Sequence, residues 1–123
     1  MKASIRKGGG YLVSDRSLTM PPNDQRNYRS KRPVIVLSGD AKNEQADWPL
    51  VYVVPTSTAT TLKTEYCVKL AQGTGDLPSK CWVRTVRAQP FLKEELGDYL
   101  GQLPAQVLCL IEENLFAYMG LVD

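Results

Sequence analysis

Two uninterrupted runs of mostly β-branched residues constrain the fold more than any other feature of the sequence. They are Pro33–Leu37 (PVIVL) and Leu50–Val54 (LVYVV). Apolar runs of this length and composition predict buried central strands. Pro33 has no N–H, which suits the first residue of a strand, and Pro55 is expected to stop the second run. The sequence therefore predicts a sheet with two buried strands.

Shorter segments predict the rest of the sheet and one helix. Alternating or short apolar patterns favour strands, and Pro104, an apolar stripe and Gly120 favour a helix with a glycine cap. The predicted strands are Tyr11–Val13, Glu65–Leu70, Lys80–Arg84 (continuing past a bend to Phe91) and a return segment at Asp98–Leu100. The stripe comprises Val107, Leu108, Ile111, Leu115, Tyr118 and Met119.

Short antiparallel strands closed by one helix, without alternation of strands and helices, predict an α+β fold: a small, partly open barrel with a C-terminal helix. A length of 123 residues suits one domain, residues 1–123. The sequence has no apolar run of membrane-spanning length and no signal peptide, so we expect a cytoplasmic protein without membrane contact. The three cysteines are expected to be reduced and buried: Cys67, Cys81 and Cys109.

Positive charge is concentrated at the start of the chain. Up to Pro33 there are eight bases and two acids, a net charge of +6, whereas the remainder has seven bases and eleven acids, a net charge of −4. Residues 14–31 form a long basic loop, and loops of this length in compact domains are usually functional or disordered. A basic segment on a mildly acidic body indicates a local site for a polyanion, although solvated loop charges would give the same pattern.

The sequence contains no histidine. Histidine is the usual general acid–base group near neutral pH, and most catalytic zinc sites and activated serine or cysteine nucleophiles depend on it. We therefore expect no catalytic zinc site and no histidine-assisted nucleophile. We also expect no other metal and no cofactor.

One cation and a cluster of hydroxyls stand at the ends of the two buried strands. Arg32 opens the first strand and Thr56–Thr58 follows the second. If the strands are antiparallel neighbours, these residues lie together, and an arginine fork with hydroxyl donors suits a phosphate. Arg84 ends a later strand, with Arg87 and Gln89 beyond it. A structural ion pair is the alternative for each arginine.

Several blocks of the sequence resemble the MazF/PemK family of toxin ribonucleases. No block is specific alone, but their order and spacing match the family from Tyr11 onward. The blocks are Lys31–Ser38 (KRPVIVLS), Val53–Ser57 (VVPTS), Leu77-Pro78 followed by Trp82–Arg84, then Leu96-Gly97, and Tyr118–Leu121 (YMGL).

The resemblance implies an SH3-like barrel that forms a homodimer. It implies a sequence-selective, metal-independent endoribonuclease that cleaves single-stranded RNA and leaves a 2′,3′-cyclic phosphate and a free 5′-hydroxyl. It also implies a cognate antitoxin protein whose C-terminal segment occupies the RNA groove, and a complex of the two that binds DNA. Such activity on mRNA inhibits translation and growth.

Carried over by position, the catalytic arginine of the family falls on Arg32 and the catalytic threonine on Ser57, with Thr56 one residue earlier as the alternative hydroxyl. The residues expected to contact RNA are Arg16, Arg26, Tyr28, Arg29, Lys31, Thr58, Arg84, Arg87 and Gln89. Acids that usually accompany the family's motifs are missing or displaced, and Asp15 or Asp40 is the candidate general base.

Two other functions fit the same resemblance. CcdB-like toxins share the barrel and bind DNA gyrase without cleaving anything, but they end in an aromatic-Gly-Ile tail, whereas this chain ends in Met119–Asp123. A non-catalytic RNA-binding module of the same fold is the second alternative.

Overall fold

A computed structural model describes residues 4–21, 28–59 and 64–122. Within these ranges, seven strands and two α-helices are joined by turns, four of them 3₁₀. The elements are β1 (Gly9–Ser14), β2 (Lys31–Val36), α1 (Asp40–Asn43), β3 (Leu50–Ser57), β4 (Val68–Leu70), β5 (Cys81–Val83), β6 (Gln89–Leu92), β7 (Tyr99–Gln102) and α2 (Ala105–Tyr118).

The strands form one curled antiparallel sheet in the order β4-β5-β3-β2-β1-β7. Strand β3 explains the curl, because its first half pairs with β6 and its last two residues pair with β5. The result is a half-barrel with a C-terminal helix, which confirms the predicted α+β class.

The sheet carries a hydrophobic core on each face. Val34, Val36, Val51 and Val53 belong to one core, whereas Ile35 and Val54 belong to the other. Because alternate residues of a strand point to opposite faces, unbroken apolar runs are what such a two-sided burial requires. Helix α2 packs on the second core through Val107, Leu108, Ile111 and Leu115.

Helix α2 ends as its sequence predicts. Gly120 has φ of +78°, and the Leu121 N–H donates to the Phe116 carbonyl at 2.8 Å, a glycine C-cap geometry. Tyr118 and Met119, which the stripe places against the sheet, are instead about half exposed. No helix in the described part of the chain has the length and apolar character needed to cross a membrane.

Three further local predictions were wrong. Strand β3 continues through Pro55 to Ser57, because Pro55 pairs with Val34 and its carbonyl accepts the Arg84 N–H at 2.8 Å. Pro33 is the third residue of β2 rather than the first.

The third concerns the cysteines. All three are free, but only Cys81 is buried, while Cys67 is half-buried and Cys109 is exposed. The expected burial of Cys67 and Cys109 was therefore wrong, since both lie outside the two cores.

Candidate active site

The start of β2 and the end of β3 lie side by side. The two strands are antiparallel, and Val34 pairs with Pro55. The two strands are therefore neighbours, as they must be for Arg32 to lie close to Thr56–Thr58. The Arg32 Nη1 donates to the Thr56 carbonyl at 2.8 Å, which joins the two strand ends directly.

Arg32 is held by a buried carboxylate. Its Nε donates to Asp15 Oδ1 at 2.7 Å, and its Nη2 donates to Asp15 Oδ2 at 3.1 Å. Arg32 is 5% exposed and Asp15 is fully buried. Paired N–H donors of arginine match the two oxygens of a carboxylate, so the pair forms a bidentate clamp that fixes the guanidinium in one orientation.

The clamp leaves part of the guanidinium uncommitted. Arginine has five N–H groups, and three donate to Asp15 and Thr56. One N–H on each terminal nitrogen has no acceptor among the described residues. The Arg32 side chain thus retains one donor on each terminal nitrogen, and arginine N–H groups can bind phosphate oxygens.

The hydroxyl groups beside Arg32 differ in their contacts. Thr56 Oγ1 donates to the Pro33 carbonyl at 2.8 Å, so its proton is used within the sheet. Ser57 Oγ accepts the Ala59 N–H at 3.1 Å, which leaves its own proton for another acceptor. Thr58 is exposed.

A cleft of about 100 Å³ opens on the other face of these strand ends. Arg29, Lys31 and Thr58 provide polar groups, and the walls are largely apolar. The remaining lining residues are Leu12, Pro33, Thr56, Leu77, Pro78, Ser79 and Cys81. Burial raises the pKa of the Cys81 thiol, although Thr56 and Arg29 partly oppose the shift. A protonated thiol is a poor nucleophile, so Cys81 is a wall of the cleft.

Arg84 braces the segment that follows β3. It is buried, its Nη2 donates to the Ala59 carbonyl at 2.7 Å, and its Nη1 contacts Cys67 Sγ at 3.8 Å. These contacts fix the turn that carries Ser57 and Thr58. Arg84 lines a separate cavity of about 350 Å³ together with Arg87 and Tyr118.

Arg87 and Gln89 hold the basic loop against the sheet. Arg87 Nε donates to the Pro21 carbonyl at 3.0 Å. The Gln89 side chain accepts the Thr19 N–H at 3.0 Å and donates to the Thr19 carbonyl at 2.8 Å. Both residues were expected to contact RNA, and in the structure their side chains position residues 19–21.

The remaining loop residues divide between stacked and exposed positions. The Arg16 guanidinium lies 4.3 Å from the centre of the Tyr28 ring, a cation–π contact. Arg29 and Lys31 are exposed at the cleft. Arg26 lies outside the described residues.

The two candidate bases occupy opposite ends of β2. Asp15 lies at Arg32, whereas Asp40 follows the far end of the strand and accepts the Lys7 N–H at 2.7 Å. That hydrogen bond, opposed by some desolvation and helped by Asn43 and nearby cations, lowers the pKa of Asp40. Within the described ranges, no group of three or more histidine, cysteine or acidic residues is arranged to hold a metal ion.

Sequence reasoning missed the contact between Asp15 and Arg32. The available signal was the pairing of β1 with β2, in which Val13 lies opposite Arg32 and Asp15 follows two residues later. An acid that lies two residues beyond the strand partner of a buried arginine can serve as its counter-ion. Recognising it requires the register between the two strands, which the sequence does not give.

Comparison with known proteins gives a family match and several similar structures. A family model described as PemK-like, MazF-like toxin of type II toxin–antitoxin system matches residues 18–118. A search of curated proteins finds no match.

Three solved structures illustrate the similarity. A mycobacterial endoribonuclease in complex with its cognate antitoxin has a TM-score of 0.71 at 19% identity, with 99% of each chain covered. MazF from Deinococcus radiodurans has a TM-score of 0.72 at 18% identity, covering 97% of this chain and 99% of that one. Toxin MazF-mt6 of Mycobacterium tuberculosis has a TM-score of 0.64 at 22% identity, covering 76% and 90%. At these identities the likeness shows a shared fold.

Proposed function

Because the chain belongs to the family of PemK-like, MazF-like toxins of type II toxin–antitoxin systems, we propose that it is an endoribonuclease that cleaves single-stranded RNA. The observation that carries this proposal is the Arg32 guanidinium, fixed near the start of β2 with two N–H donors left and with the Ser57 hydroxyl on the adjacent strand. Cleavage of mRNA in the cytoplasm would inhibit translation and growth.

The proposed reaction uses a nucleophile that RNA itself contains. The 2′-oxygen attacks the neighbouring phosphorus, the bond from phosphorus to the 5′-oxygen breaks, and a 2′,3′-cyclic phosphate and a 5′-hydroxyl result. One proton leaves the 2′-hydroxyl and one is delivered to the departing oxygen, so no metal or cofactor is needed for the balance.

Arg32 suits the charge that develops in this reaction. Negative charge grows on the non-bridging oxygens in the transition state, and the uncommitted N–H of each terminal nitrogen can donate to them. A preorganised donor of this kind typically accounts for about 10²–10³ in rate. The guanidinium is a poor base because it stays protonated, so its role in the proposal is stabilisation of charge.

Ser57 is the better of the two candidate hydroxyls. Its proton is uncommitted, whereas the Thr56 proton is donated to the Pro33 carbonyl. In the proposal, Ser57 donates to a phosphate oxygen and Thr56 holds β2 and β3 together.

The cleft on the other face of these strand ends, opposite the Arg32 and Ser57 side chains, is proposed to bind a neighbouring part of the RNA strand. Arg29 and Lys31 at its rim would contact phosphates, a contribution that weakens with salt. Tyr28 is partly exposed and offers a ring on which an unpaired base can stack. Contacts to bases in this cleft would make the cleavage sequence-selective.

Two protein partners complete the proposal. One is a cognate antitoxin, since a structural relative was solved in complex with its antitoxin. The other is a second copy of the chain, because exposed apolar side chains gather at the end of α2: Phe116, Tyr118, Met119, Leu121 and Val122. Clusters of this kind on soluble proteins mark interaction surfaces.

The test is incubation of the protein with a long RNA of mixed sequence, with and without EDTA, followed by primer extension to map the ends. We expect discrete cuts at a recurring sequence, with cyclic phosphate ends and with no effect of EDTA. Protection of the RNA without cuts would indicate a binding module. Absence of any RNA interaction, with DNA gyrase retained by the protein on a column, would indicate a gyrase-binding toxin.

A further inference from the structure

Asp15 joins two parts of the site that are separate in sequence. Besides clamping Arg32, its Oδ2 accepts the backbone N–H of Arg29 at 2.8 Å. One fully buried carboxylate therefore holds both the guanidinium at the head of β2 and the end of the basic loop, whose Arg29 and Lys31 side chains border the cleft.

We propose that Asp15 is a positioning residue for RNA cleavage, acting through Arg32 without touching the RNA. This inference rests on the proposed ribonuclease function. The Asp15 carboxylate occupies the Nε side of the guanidinium and the Thr56 carbonyl takes one Nη1 N–H, so one N–H on each terminal nitrogen remains to meet a phosphate. The clamp thereby determines which N–H groups of Arg32 face the substrate, and it stops the guanidinium from rotating about the side-chain bonds.

Chemistry favours this role over that of a general base. A carboxylate that accepts three N–H bonds in a buried position has its oxygens directed at those donors. To remove the 2′-proton it would need to lie within hydrogen-bond distance of the substrate. Because the Asp15 side chain is fully buried beside Arg32, its contribution is orientation, and misplacing a reacting group by about 1 Å costs about 10²-fold in rate.

The first test uses the wild-type protein and does not depend on activity. In a ¹⁵N NMR spectrum of arginine side chains, the Arg32 Nε–H should give a resolved signal with slow solvent exchange, assigned by its loss in Arg32→Lys. A signal that exchanges as fast as that of exposed Arg6 would overturn the clamp, whatever the protein does to RNA.

The second test separates positioning from binding. Asp15→Asn preserves the shape but replaces one oxygen by a donor. We expect its single-turnover cleavage rate to fall about 10²-fold, while its affinity for an RNA with a 2′-deoxy cleavage site changes much less. Asp98→Asn, which removes an exposed acid, should cleave at the wild-type rate. Equal rates for Asp15→Asn and the wild type would overturn the proposal.

A double variant shows whether Asp15 acts through Arg32. Against the Arg32→Lys background, in which the fork is already absent, Asp15→Asn should cause little further loss of rate, because the two residues work as one unit. Full additivity would overturn the proposal. If the wild-type chain cleaves no RNA at all, the ribonuclease function fails, and the NMR measurement still decides whether the clamp exists.

Discussion

Thr56 and Ser57 are neighbours in sequence, but their hydroxyls make different contacts. A pair of variants distinguishes the structural role of one hydroxyl from the proposed catalytic role of the other. Thr56→Val keeps the shape but leaves the Pro33 carbonyl without its donor. We expect a loss of about 1–3 kcal/mol in the free energy of unfolding, with a small effect on cleavage. Ser57→Ala should show the reverse, a small change in stability and a rate about 10²-fold lower. Urea denaturation and single-turnover cleavage of both variants check this, and a reversed pattern would assign the working hydroxyl to Thr56.

Asp40 gives a dependence of stability on pH whose sign follows from its environment. The Lys7 N–H bond lowers the pKa of Asp40 from its ordinary value of 3.8. A carboxyl with a lowered pKa in the folded state adds stability above 3.8 and loses it as the pH falls through the lowered pKa. Asp40→Asn should therefore be less stable than the wild type at neutral pH, and the difference should shrink at acid pH. A difference that grows on acidification would contradict this account.

At the residue scale, the sequence placed Arg32 at the head of a strand but did not predict its partner. The strand pattern and the position of Arg32 at the strand head are local properties, so they can be read from the chain. The Asp15 contact depends on the register between β1 and β2 across a loop of more than a dozen residues. Such a register is set by packing of the whole sheet, which periodicity does not reveal.

Two glycines give a test at the scale of strands and turns. A Cβ added to Gly97 would lie 2.4 Å from the Leu12 carbonyl oxygen, whereas one added to Gly39 meets nothing within 4 Å. Gly97→Ala should force β1 and the start of β7 apart and lower the free energy of unfolding by about 1–3 kcal/mol. Gly39→Ala is the matched control and should melt close to the wild type. Similar melting temperatures for the two variants would show that β7 is not packed as described.

The elements were predicted better than their ends. The existence and order of the strands and of α2 follow from apolar periodicity. The C-terminal cap of α2 follows from the presence of a glycine at position 120. The end of β3 was not predicted correctly, since proline lacks an N–H and normally interrupts the hydrogen bonding between strands. Here Pro55 contributes its carbonyl, which accepts the N–H of Arg84, the residue that follows β5 nearly thirty residues later in the sequence.

At the scale of the whole molecule, the apolar surface at the end of α2 predicts a dimer. Leu121 is 65% exposed and Met119 is 52% exposed. The chain has a mass of 13.7 kDa, so sedimentation velocity should give a species of twice that mass. Leu121→Glu should shift the equilibrium toward the monomer, because a charge in an apolar interface is desolvated on association. A wild-type chain that sediments as a monomer at all concentrations would contradict the proposed dimer.

RNA cleavage is proposed to depend on Arg32, and the measurement that decides this is the single-turnover rate of Arg32→Lys on an RNA that the wild type cleaves. Lysine keeps the charge but lacks the fork that binds both Asp15 and phosphate. With Arg6→Ala as the control for loss of an exposed arginine, and with melting curves that confirm folding, we expect Arg32→Lys to cleave at least about 10²-fold more slowly than the wild type. A folded Arg32→Lys protein that cleaves at the wild-type rate would contradict it.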